Sequence, residues 1–83
     1  MYAIVDIETT GGHAAANGIT EIAIILHDGQ QVTEKFHTLI HPDQKIPVHI
    51  TALTGISNAM VASAPTFKEV AQQIYDILSN HIF

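Results

Sequence analysis

The chain has 83 residues, with three lysines, no arginine, eight acidic residues, six histidines and no cysteine, and 47% of it is apolar. This size and apolar content allow one small globular unit and exclude a multidomain machine, a disordered tail and a coiled coil. A formal net charge of −5 argues against non-specific adhesion to nucleic acid or an anionic membrane, because lysine and arginine are what grip a phosphate backbone.

In chain order, Tyr2 to Glu8 reads as a strand, with Ala3, Val5 and Ile7 on one face and Tyr2, Ile4, Asp6 and Glu8 on the other. Gly11-Gly12 and Asn17-Gly18 are turn signals. Ile19 to His27 is apolar on both faces, as a central strand is. Asp28-Gly29 offers the positive-φ residues of a tight hairpin, and Val32 to Ile40 returns antiparallel with the mixed polarity of an edge strand. After a loop bounded by Pro42 and Pro47, Val48 to Thr54 reads as a short helix stopped by Gly55, and Ser57 caps a brief turn through Val61. Thr66 and Glu69 have capping-box spacing. They open a helix whose buried stripe is Phe67, Val70, Ala71, Ile74, Ile77 and Leu78, with Lys68, Gln72, Gln73 and Asp76 outside.

The end turns apolar again at Asn80-His81-Ile82-Phe83, which reads as the start of a fourth strand near Ile82. A strand reached through a helical crossover lies parallel to its neighbour, so the expected fold is a mixed α/β sheet with the first strand at its centre. A chain this short buries only roughly 60% of its unfolded surface, so the 83 residues read as the N-terminal part of one longer domain. The absence of cysteine, of a signal peptide and of any apolar run near ~20 residues leads to the expectation of a soluble, cytoplasmic protein.

Asp6 and Glu8 are the residues with the most chemical content. At alternate positions on an apolar strand they project from one face, roughly 6.5 to 7 Å apart along the backbone. Paired carboxylates repel and lose hydration there, a cost that a hard cation such as Mg²⁺ or Mn²⁺ offsets while keeping positions for phosphate oxygens. Thr9-Thr10-Gly11-Gly12 adds hydroxyls and approachable backbone N–H groups, a combination suited to phosphate-ester chemistry. The same spacing also arises by accident where a strand ends before Asp6 and leaves both acids in solvent.

The stretch Tyr2-Ala-Ile-Val-Asp-Ile-Glu-Thr-Thr-Gly11 resembles the first motif of the DEDD-type (DEDDh) 3′-to-5′ exonucleases, the group that includes the epsilon proofreading subunit of bacterial DNA polymerase III. Ile46-Pro47, Ile50-Thr-Ala-Leu-Thr-Gly-Ile-Ser57 and Ala64-Pro-Thr-Phe67 resemble the segment that follows the hairpin in those enzymes, in the same order. The resemblance implies a ribonuclease H-like fold and removal of nucleoside monophosphates from a single-stranded or frayed DNA 3′ end, with two divalent ions, Mg²⁺ or Mn²⁺. It implies that Asp6 and Glu8 are metal ligands and catalytic residues. It also implies that Thr9, Thr10, Gly11, Leu53, Thr54 and Ile56 meet the terminal nucleotide, although Leu53 and Ile56 are equally readable as helix core.

The family's second-motif Asp and third-motif His and Asp match nothing in the 83 residues, so the chain by itself is expected to be inactive. An RNA-directed exonuclease, an exonuclease module fused to a separate nuclease domain, and a non-catalytic module that binds a metal or a DNA polymerase subunit are the alternatives. His13, His27, His37 and His41 have no predictable ligand spacing; His49 lies near the substrate segment, and Glu21 is the one other acid close to the carboxylate strand.

Overall fold

A computed structural model of the chain describes residues 2–11 and 18–79. Three strands, β1 (Tyr2–Thr9), β2 (Ile19–His27) and β3 (Val32–Leu39), are followed by three helices, α1 (Val48–Thr54), α2 (Asn58–Val61) and α3 (Phe67–Leu78). The strands form an antiparallel sheet in the order β1-β2-β3. Among the described residues β2 lies between β1 and β3; the fourth strand expected near Ile82, on which a central place for β1 depends, and His13 and His81 lie outside the described residues.

Alternation along β2 sets which face is buried. Ile22, Ile24 and Leu26 are buried and pair in register with Ile7, Val5 and Ala3 of β1. α3 closes over this face with Val70 and Ile74, and Ile19, Phe36, Ile77 and Leu78 pack around them. The helix begins as its capping box requires: the Thr66 hydroxyl accepts from the Glu69 N–H, and Glu69 Oε1 accepts from the Thr66 N–H at 2.9 Å. Phe67 is the one residue of the expected stripe that lies in the first turn outside the core, 44% exposed.

A second cluster of Ile46, Ile56 and Val61, with Leu39, Ile50 and Ala64 around it, fastens α1 and α2 below the end of β3. Asn58 clamps this cluster to the loop, its Oδ1 accepting from the Ile46 N–H at 2.8 Å and its Nδ2 donating to the Ile46 carbonyl at 3.1 Å. Gly55, at φ 80°, ends α1 in the left-handed region and donates its N–H to Thr51 O.

The β2–β3 turn fills the gap expected between the two strands, but without the pair of positive-φ residues expected of Asp28-Gly29. It spans Asp28 to Gln31, and within it only Gly29 has positive φ, 101°. The Asp28 carboxylate accepts from the N–H groups of Gln30 (2.8 Å) and Gln31 (3.0 Å), so the side chain satisfies the turn amides that a tighter turn would leave to the backbone.

Candidate active site

Because Ala3, Val5 and Ile7 pair with the buried row of β2, Asp6 and Glu8 emerge together on the opposite face of the sheet, beside Ala23 and Glu21. Asp6 is exposed and Glu8 half-buried. Glu21 stands directly across from Glu8, and its carboxylate is bonded to the His37 imidazole of β3.

The ladder slips just after Glu8: Glu8 pairs with Glu21 but Thr9 pairs with Ile19, leaving Thr20 as the extra residue of a bulge. The slip turns the chain into a compact corner. Thr9 Oγ1 donates to Gly11 O at 2.6 Å, the Thr10 N–H donates to Gly18 O at 3.0 Å, and Thr10 Oγ1 accepts from the Gly18 N–H at 3.1 Å. Gly18 is required here, since a Cβ on it would lie 2.8 Å from Pro42 Cβ and closer still to the Pro42 carbonyl oxygen.

This corner faces α1 across a cleft of about 270 Å³, lined by Ile7, Glu8, Thr9 and Gly11 on one side and Ile50, Leu53 and Thr54 on the other. The structure thus brings Glu8, Thr9, Gly11, Leu53 and Thr54 together from two segments far apart in the chain. Leu53 presents an almost bare side chain, 81% exposed. The Thr54 hydroxyl is held within α1, donating to Ile50 O at 2.9 Å and accepting from the Ile56 N–H at 3.1 Å. Thr10 and Ile56 are buried and do not line the cleft: Thr10 braces the corner, and Ile56 sits with Ile46 and Val61 behind α1. Asp6 and the exposed His49 are likewise outside the lining. Ile7 and Ile50 also line the cleft; both lie within the motif stretches, but the resemblance gives neither a site role. Ile50 lies three and four residues before Leu53 and Thr54, so helical spacing alone could have placed it beside them.

The donor set suits a hard divalent cation. Asp6 and Glu8 offer carboxylate oxygens on one face, but among the described residues no cluster of three or more His, Asp or Glu side chains could enclose an ion. They would hold Mg²⁺ or Mn²⁺ as two ligands of a larger set completed by water, phosphate or other side chains. Among the described residues no helix is long and apolar enough to cross a membrane.

Comparison with known proteins shows what the chain is similar to. The family model described as Exonuclease, of RNase T type, matches residues 3–83. The chain is 40% identical over 82 residues to the 3′-5′ exonuclease DinG of Staphylococcus aureus (strain USA300) and 39% identical to that of Staphylococcus haemolyticus, covering 99% of the chain but about 9% of the length of either relative. Among solved structures, Exonuclease X in complex with 5′ overhanging duplex DNA matches with a TM-score of 0.80 and 32% identity, over 90% of this chain and 43% of that one. The nuclease domain of 3′hExo, a DEDDh family member bound to rAMP, matches with a TM-score of 0.78 at 22% identity, a likeness of fold, over 94% of this chain and 43% of that one. With a ribonuclease H-like arrangement of strands and helices and a family match along almost its whole length, this chain belongs to the exonuclease family.

Proposed function

We propose that the chain is the N-terminal part of the exonuclease domain of a larger protein that removes nucleotides from DNA 3′ ends. The observation that carries this reading is the cleft in which Glu8, Thr9 and Gly11 of the β1 corner face Leu53 and Thr54 of α1. Its volume suits a single terminal nucleotide, and the 32% identical Exonuclease X is bound to duplex DNA in its structure.

In this reading Asp6 and Glu8 hold the divalent ions. Bound there, Mg²⁺ or Mn²⁺ would acidify a water molecule and neutralise charge on the scissile phosphate. Leu53 presses on the last base or sugar, the backbone of Thr9 and Gly11 approaches the nucleotide, and Thr10 and Ile56 keep the two walls in place from behind. Residues outside these 83 supply the remaining acids and the general base, so the 83 residues alone bind divalent ions weakly and do not hydrolyse DNA. A cytoplasmic setting fits the lack of cysteine. A role in replication or repair beside a polymerase subunit is supported by the resemblance of Tyr2–Gly11 to the first motif of the group that includes proofreading exonucleases.

The test is a 5′-labelled oligonucleotide with an unpaired 3′ end, incubated with the full-length protein and Mn²⁺. A descending ladder that Asp6→Ala abolishes is expected. A ladder that survives the substitution in folded protein overturns the assignment, and digestion of an RNA oligonucleotide alone moves the substrate class to RNA.

A further inference from the structure

On the far side of the sheet from the carboxylate pair, β3 and α3 border an open groove of about 630 Å³. The register sets Glu34 and Phe36 on the same face as Leu26 and Ile24, the face on which α3 packs. Leu26, Phe36 and Ile77 therefore give the groove an apolar floor, while Glu34 from the strand and Glu69 and Asp76 from the helix give it acidic walls against the single cation Lys35. The two helix acids are fixed in place: Glu69 Oε1 accepts from Thr66, and Asp76 Oδ1 accepts from Gln72 Nε2 at 2.9 Å. Among the described residues β3 is also an edge strand, so its outer backbone groups are open to pairing.

We propose that this groove docks an extended partner segment that carries lysine or arginine between apolar residues. Such a segment adds its backbone to β3 and, because successive strand side chains point to opposite faces, carries apolar and cationic residues two apart on the α3 side, the apolar ones seated on Leu26, Phe36 and Ile77 and the cations reaching Glu34 and Asp76. The charge excess selects this occupant over an acidic or uncharged strand, since three carboxylates face one ammonium group along the walls. The surface lies on the opposite face from Asp6 and Glu8, so docking here leaves the candidate cleft open, and the proposal stands apart from the exonuclease reading.

The probe is a peptide of eight residues in which valine and lysine take turns at every second position with serine between them, titrated into the isotope-labelled full-length protein, with the same peptide carrying glutamate for lysine as control. Saturable binding of the lysine peptide is expected, with amide shifts concentrated in residues 32–39 and 69–77 and no binding of the control. Glu34→Gln with Asp76→Gln should weaken binding roughly fivefold or more, whereas Asp28→Asn with Asp43→Asn, which removes the same formal charge elsewhere, should change it less than about twofold. Equal weakening by both pairs, equal binding of both peptides, shifts confined to β1 or the Glu8 cleft, or no saturation would each overturn the proposal.

Discussion

Glu8 and Glu21 stand directly opposite one another across the β1–β2 ladder, on the face that also carries Asp6. Like charges in that position destabilise an antiparallel pair, and His37 engages Glu21 from the third strand. Glu8→Gln is therefore expected to raise metal-free stability by about 0.2–1 kcal/mol while removing most of the stabilisation conferred by Mn²⁺. Thermal unfolding in EDTA and in excess Mn²⁺ measures both effects. A variant that Mn²⁺ stabilises as strongly as the parent would take Glu8 out of the ion-binding set.

Gly18→Ala tests the contact that holds the corner after β1 in place. The added Cβ meets the Pro42 backbone, which cannot rotate away as a long side chain could. Overpacking of this kind costs about 1–3 kcal/mol, and urea unfolding should show it as a lowered midpoint with an unchanged slope. A midpoint equal to the parent's would mean that the Pro42 loop yields freely.

Asn58→Ala removes both hydrogen bonds to the Ile46 backbone and leaves a part-buried N–H and carbonyl to find water. The expected loss is about 1–3 kcal/mol. Hydrogen exchange should accelerate first at Ile46 and in α2, ahead of the sheet, and uniform acceleration would contradict a local clamp.

Thr20 is the bulge residue opposite Glu8 and Thr9, and its buried hydroxyl has no hydrogen-bond partner among the described residues. Thr20→Val keeps the branched shape and removes the stranded polar group, so stability should rise by about 1 kcal/mol. A loss of stability instead would reveal a partner for that hydroxyl in solution.

Acid should weaken two turns together. The backbone N–H groups of Gln31 and Gln30 hold the Asp28 carboxyl below its usual range, and the backbone and hydroxyl of Thr66 do the same for Glu69. Groups with depressed folded values add stability above their unfolded pKa and lose it as pH falls through the folded one. The urea midpoint should therefore fall as pH drops below about 5, and Asp28→Asn combined with Glu69→Gln should flatten part of that decline. An identical pH profile in the double variant would remove both carboxylates as contributors.

The sheet and helices are legible in the sequence because their signals are local. Alternation from Tyr2 to Glu8, the two-faced apolar run from Ile19 to His27, the Thr66–Glu69 cap and the stop at Gly55 each act within a few residues, and the observed elements follow them closely. The Asp28 turn departs from its dipeptide signal because a side-chain acceptor, which dipeptide preferences do not show, replaces part of the expected backbone geometry. The shared face of Asp6 and Glu8 follows from strand periodicity alone. Which apolar residues of the 50–56 stretch face the cleft does not, because it depends on how the second hydrophobic cluster seats α1.

One torsion divides that stretch. Leu53 and Ile56 are three residues apart and chemically alike, yet one is 81% exposed and the other 4%. Between them the left-handed Gly55 reverses the course of the backbone, sending one aliphatic group outward and its near twin inward. A single achiral residue outside the lining thereby sets the mouth of the pocket, and a β-carbon introduced there, though it meets no neighbouring atom, would load that bend with roughly 1–2 kcal/mol of left-handed strain while every wall residue kept its identity.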